Sequence, residues 1–158
     1  MRRLLRTLLL LEVGAWLGMI SAAAIVKRAL PSRGDEESDE VSLVAVLDGI
    51  DLKSRAASFR GGSMFAWLGG IAVDLREAQL APDALLRTNT LFGGIAVRIP
   101  ADWQVESRVK ALFGGVDVKA LGANDPAAPT LTLEGMALFG GIAVGAKPET
   151  TDPPASES

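Results

Sequence analysis

The sequence predicts an all-β fold: a short, right-handed parallel β-solenoid of about five rungs, preceded by one N-terminal α-helix. Three observations carry this expectation. A near-identical word occurs four times: Trp67-Leu68-Gly69-Gly70-Ile71-Ala72-Val73, Leu91-Phe92-Gly93-Gly94-Ile95-Ala96-Val97, Leu112-Phe113-Gly114-Gly115-Val116-Asp117-Val118 and Leu138-Phe139-Gly140-Gly141-Ile142-Ala143-Val144. After each glycine pair, β-branched residues alternate with a small or acidic one, as in a strand buried on one face. An apolar stretch with basic flanks precedes the repeats.

That stretch, Thr7 to Val26, predicts an anchor helix within residues 1–30. About twenty residues at roughly 1.5 Å each cover a hydrocarbon core of about 30 Å. Glu12 is the one charge inside the stretch and lies near its end, where a flanking arginine can pair with it. Lys27-Arg28 reads as a stop-transfer flank, whereas the Gly14 and Gly18 spacing reads as incidental. The alternative is a cleaved signal peptide, with Arg2, Arg3 and Arg6 as the basic region, Leu8 to Ile20 as the apolar core and Ala22-Ala23-Ala24 as the cleavage site. Basic residues stand on both sides of the stretch, so charge leaves its orientation and the side of the following domain undetermined. Residues 31–40, from Pro31 to the acidic run ending at Glu40, read as a solvated linker.

Residues 41–145 form the repeat domain. The second glycine of each word advances by 24, 21 and 26 residues, and a degenerate copy, Leu47-Asp48-Gly49-Ile50-Asp51-Leu52, precedes Gly70 by 21. Rungs stacked in chain order place Leu68, Phe92, Phe113 and Phe139 above one another, as an aromatic-aliphatic ladder inside the coil. The glycine pairs Gly69-Gly70, Gly93-Gly94, Gly114-Gly115 and Gly140-Gly141 then turn corners by unusual φ or close backbone approach. Asp117, where other copies have alanine, marks that position as outward-facing. Ala81-Pro82-Asp83-Ala84 and Gly122 to Pro129 extend two rungs as surface insertions. The segment 146–158, with Pro148, Pro153 and Pro154, reads as a disordered tail.

Composition narrows the function classes. The 158 residues contain no Cys and no His, which removes thiolate and imidazole ligands and the commonest general base. A net charge of -3 argues against a nucleic-acid partner. Asp74-Leu75-Arg76-Glu77 is the densest charged cluster in the repeats, but neighbouring residues on a strand face opposite ways, so it reads as a surface ion pair. Asp48 and Asp51 lack the rung-by-rung repetition of a calcium-binding coil. No catalytic or metal site and no cofactor is expected. Trp67 and Trp103 are the candidate interaction residues, weighed against core packing.

The runs Phe59-Arg60-Gly61-Gly62, Gly69-Gly70-Ile71-Ala72-Val73-Asp74-Leu75-Arg76-Glu77-Ala78, and Leu91 to Pro100 followed by Asp102-Trp103 resemble the C-terminal domain of LiaF-like proteins, bacterial membrane proteins of the cell-wall-active-antibiotics-response group. The likeness covers roughly residues 45 to 145. It implies a short solenoid joined to a membrane segment and, in LiaF itself, restraint of a sensor kinase under envelope stress. This chain has one candidate span where LiaF has several. The functional expectation is a non-enzymatic, membrane-anchored interaction module of the bacterial envelope, single-pass, contacting lipid through residues 7–26 and a protein partner through the repeats. The alternative is a structural scaffold that self-associates end to end, like bactofilins, as a homo-oligomer.

Overall fold

The computed structural model describes residues 31–119 and 125–146, with scattered positions between 18 and 29. Its elements are β1 (Glu40–Val46), β2 (Gly49–Lys53), β3 (Phe59–Asp74), β4 (Leu80–Arg98), β5 (Gln104–Ala111), β6 (Gly115–Lys119), β7 (Thr130–Ala137) and β8 (Gly140–Gly145). They form one eight-stranded sheet whose named ladders are all parallel. Each copy of the word supplies two strand segments joined at a bend. β3 and β4 run through the bend, while β1–β2, β5–β6 and β7–β8 break there.

Two expectations about fold class are corrected. Among the described residues helical positions are confined to scattered residues between 18 and 29 that make no continuous element, and no helix is long and apolar enough to cross a membrane. Most of the stretch 7–26 lies outside the described residues. The second correction concerns the solenoid. A coil wound in chain order would stack the copies as they are written, but the sheet runs β1-β3-β4-β7-β5, with β8 between β4 and β6. The chain leaves β4, passes one place outward to form β5–β6, then returns to fill the gap with β7–β8.

Side-chain chemistry accounts for that exchange. The last copy points Leu131, Leu133, Ala137, Ile142 and Val144 inward, and all are buried. Interior strands have neighbours on both sides and reward such an apolar set. The copy at the edge carries Glu106, Arg108, Lys110, Asp117 and Lys119 on its outer face, charges that stay solvated at a sheet edge. Gly135, at φ 141°, makes the inner position of β7 possible: a Cβ there would overlap the Thr88 carbonyl oxygen.

The core is aliphatic. Leu43, Met64, Leu86, Leu131 and Leu133 come from the first segments, and Ile71, Val73, Ile95, Val97, Ile142 and Val144 from the second. Trp103 and Phe59 close it where the chain turns back between copies. Thr90 is the one buried side chain among the described residues whose oxygen lacks a hydrogen-bond partner.

The stretch 31–40, read as a solvated linker, is largely exposed and lines the β1 edge. Arg33 and Ser42 exchange backbone hydrogen bonds of 2.6 and 2.7 Å, and Ser32 Oγ accepts from the Val44 amide at 2.9 Å. Arg55 donates to Glu77 at 2.9 Å and to Glu36 at 3.3 Å, tying the acidic run to the neighbouring turn.

Candidate functional site

The bend in each copy builds the most distinctive surface of the molecule. Register places Val46 beside Trp67 and Trp67 beside Phe92, so Trp67, rather than Leu68, holds the ladder position. Leu68 takes φ 53° and turns the corner. Phe92 stacks on Phe139 with ring centroids 4.8 Å apart and planes within 3°, and Phe139 stacks on Phe113 at 5.0 Å and 7°. The stack follows the spatial order of the strands, not the order of the chain.

These rings face solvent, which corrects the expected internal ladder. Phe92 is 45% exposed, Phe139 43% and Phe113 65%. Alternation explains the outcome: Ile71, Ile95 and Ile142 must point inward, and the bend between ring and isoleucine turns the rings out of the core. Leu47, Leu112 and Met136 are exposed as well.

The glycine pairs divide into two columns. In the first column, a Cβ on Gly69, Gly93, Gly140 or Gly114 would lie 2.3, 2.1, 2.0 or 1.8 Å from a carbonyl oxygen of the adjacent strand. Close backbone approach therefore demands glycine there, and none of the four has a positive φ. In the second column, a Cβ on Gly70, Gly94 or Gly141 would meet nothing nearer than 3.7 Å, and at Gly49 and Gly115 nothing within 4 Å. The backbone permits a side chain at every one of these positions.

The second column, with Ala72, Ala96 and Ala143 beside it, floors an open trough of about 830 Å³. The trough ends in Asp51 on β2 and Asp117 on β6, the two strands at the sheet edges. Two residues beyond Ala72 on β3, buried Asp74 accepts a bidentate pair of bonds from Arg76, with Nη2 to Oδ2 at 2.7 Å, and Arg98 Nη1 stands 4.0 Å away. The Arg76 hydrogen bond holds the Asp74 carboxyl below its ordinary range. Lys119 pairs with Asp117 at 3.0 Å.

The candidate interaction residues separate. Trp67 is half-buried at the corner, whereas Trp103 is 3% exposed and belongs to the core. The charged tetrad does not converge: Asp74 takes Arg76, and Glu77 turns to Arg55. No group of three or more metal-capable side chains exists among the described residues. The glycine and alanine floor was missed as a site, although one signal for it was present. The degenerate copy replaces the first glycine by Asp48 yet keeps the second, Gly49.

Two curated relatives are similar to this chain, both uncharacterised proteins of Mycobacterium tuberculosis. The protein of strain CDC 1551 is 28% identical over 121 residues and that of strain H37Rv 27% over 121 residues. The matched region covers 75% of this chain and 60% of each relative, so the chain spans about three fifths of their length. No family model matches the sequence, and no solved structure matches it.

Proposed function

We propose that this chain is a non-enzymatic interaction module of the bacterial envelope, tethered to the membrane through residues 7–26, that receives a partner protein on the trough and phenylalanine stack. The observation behind this reading is the second glycine column. Side chains are sterically allowed there, yet all five copies leave the floor bare beside three solvent-facing rings. A flat apolar floor, with an exposed aromatic stack two residues before it along three of the strands, suits an apolar ridge on another protein, with the rings as buried anchors. The residue chemistry supports binding over catalysis: the trough offers two carboxylates at opposite ends, Asp51 and Asp117, the second in an exposed ion pair with Lys119, and no converging set of catalytic groups. The likeness to LiaF-like domains points the same way, towards regulation in envelope stress.

The test compares two baits in membranes from the native cell. Wild-type chain and a Phe92→Ala/Phe139→Ala variant are photocross-linked through a probe at Ala96, and both are checked for membrane retention. The reading expects one discrete adduct with wild type, lost with the variant while retention is unchanged. Equal adducts from both, or release of wild type from membranes by carbonate, would refute it.

A further inference from the structure

The β5–β6 edge carries the features of a self-complementary interface. Among the described residues, β5 is paired only to β7 and β6 only to β8. The ends of the apolar interior, Val105, Val109, Val116 and Val118, lie there only partly buried. Leu112 and Phe113, 59% and 65% exposed, are the most exposed large hydrophobic residues of the repeats and stand at the bend of this edge.

We infer that two copies of the chain join through this edge as a closed two-fold dimer, β5 of each pairing antiparallel with β6 of the other. The proposed axis passes through the bend between Leu112 and Phe113. Three requirements meet in one register, the first two fixing which residues can face each other and charge fixing the alignment, in which Arg108 lies opposite Asp117 of the partner subunit and Glu106 opposite Lys119 of the partner subunit.

The first requirement is backbone direction. Gln104 and Leu112 donate inward to Pro129 and Ala137, so even-numbered residues of β5 turn their amides towards β7 and odd-numbered ones outward. Lys119 accepts from Ala146, so odd-numbered residues of β6 turn inward and even-numbered ones outward. Odd residues of β5 must therefore meet even residues of β6, which the register does by joining Val109 to Val116 and Ser107 to Val118. The second is side-chain face. The same pairs put Val109, Val116, Val118 and the small Ser107 on the core side and charges on the solvent side of both copies. The third is charge: both cross-strand charged pairs have opposite signs. A shift by two residues sets Glu106 against Asp117 in one direction and Arg108 against Lys119 in the other.

The opposite edge resists the same use. Every first-column Cβ points at the strand on its β1–β2 side. Asp48 holds that position in the outermost strand pair, so its Cβ projects where a further strand would lie, about 2 Å from that strand's carbonyl by analogy with Gly69 and Gly93. Ser32 and Arg33 also occupy the β1 edge. Head-to-tail growth is blocked, and assembly stops at a closed pair. This opposes the end-to-end scaffold reading.

The chain contains no cysteine, which makes the register directly testable. The full chain in mild detergent is followed by sedimentation velocity across concentration, and an Arg108→Cys/Asp117→Cys variant is oxidised and run on a denaturing gel. The expected results are a dimer, at least tenfold weaker dimerisation with Asp117→Lys, and a disulfide-linked dimer from the double variant but not from Arg108→Cys alone. A monomer at all concentrations, as when the chain's own tail covers the edge, overturns the inference. So does a dimer that yields no cross-link, as when the apolar N-terminal stretch holds the copies together, and so does a filament.

Discussion

The two glycines of each repeated word are neighbours in sequence and opposites in physics. Gly93 is held against the Gly69 carbonyl with no room for a methyl group, while Gly94 faces open space above the trough. The first is a condition of strand stacking. The second is dispensable to the fold and therefore informative about function, because a small residue kept where a larger one fits leaves a surface deliberately flat. Identical residues in a motif need not share a reason.

Substitutions at the paired positions separate those reasons. The largest effect belongs to Gly140→Ala, whose Cβ would lie 2.0 Å from the Gly93 oxygen inside the sheet. We expect a loss of about 3 kcal/mol or more in urea unfolding, at the upper end of overpacking costs. Phe139→Ala, which removes the central ring of the stack, should cost about 1 kcal/mol, since an exposed aromatic pair contributes little beyond its own contact area. Thr90→Val should raise stability by about 1 kcal/mol by replacing a buried hydroxyl without a partner; a loss of stability would mean the hydroxyl is satisfied. Gly141→Ala should change stability by under about 1 kcal/mol while weakening partner capture on the trough. If Gly141→Ala unfolds the protein as Gly140→Ala does, the two columns are not distinct.

A further effect depends on pH. Asp74 has a folded-state pKa lowered chiefly by the Arg76 hydrogen bond. Its contribution is present at neutral pH, above the ordinary carboxylate range. It is lost as pH falls through that range, about 4, and through the lower folded value. Asp74→Asn should therefore lower stability at pH 7 and cost progressively less as pH falls below about 4, shown by thermal melts across that range.

Much of the local structure can be read from the residues. Alternation after the glycine pairs identifies which side chains point inward, and Asp117 marks the outward face. The expected internal Phe ladder is misplaced because each ring stands three positions before the inward β-branched residue after the glycines, which puts the two on opposite faces. Leu68 shows the same limit: its positive φ lets a leucine turn where the other copies present phenylalanine.

By itself, the sequence determined that one word recurs, that a strand segment follows each glycine pair, and that an aliphatic set lines one face of each copy. Those are properties of neighbouring residues, set by side-chain alternation and backbone sterics. Only the tertiary structure decided the spatial order of the copies, the exposure of Phe92, Phe139 and Phe113, and which glycine of each pair is compulsory. Similar repeats have similar local preferences, so their order depends on which copy gains most from two neighbours and which can leave its charges in water.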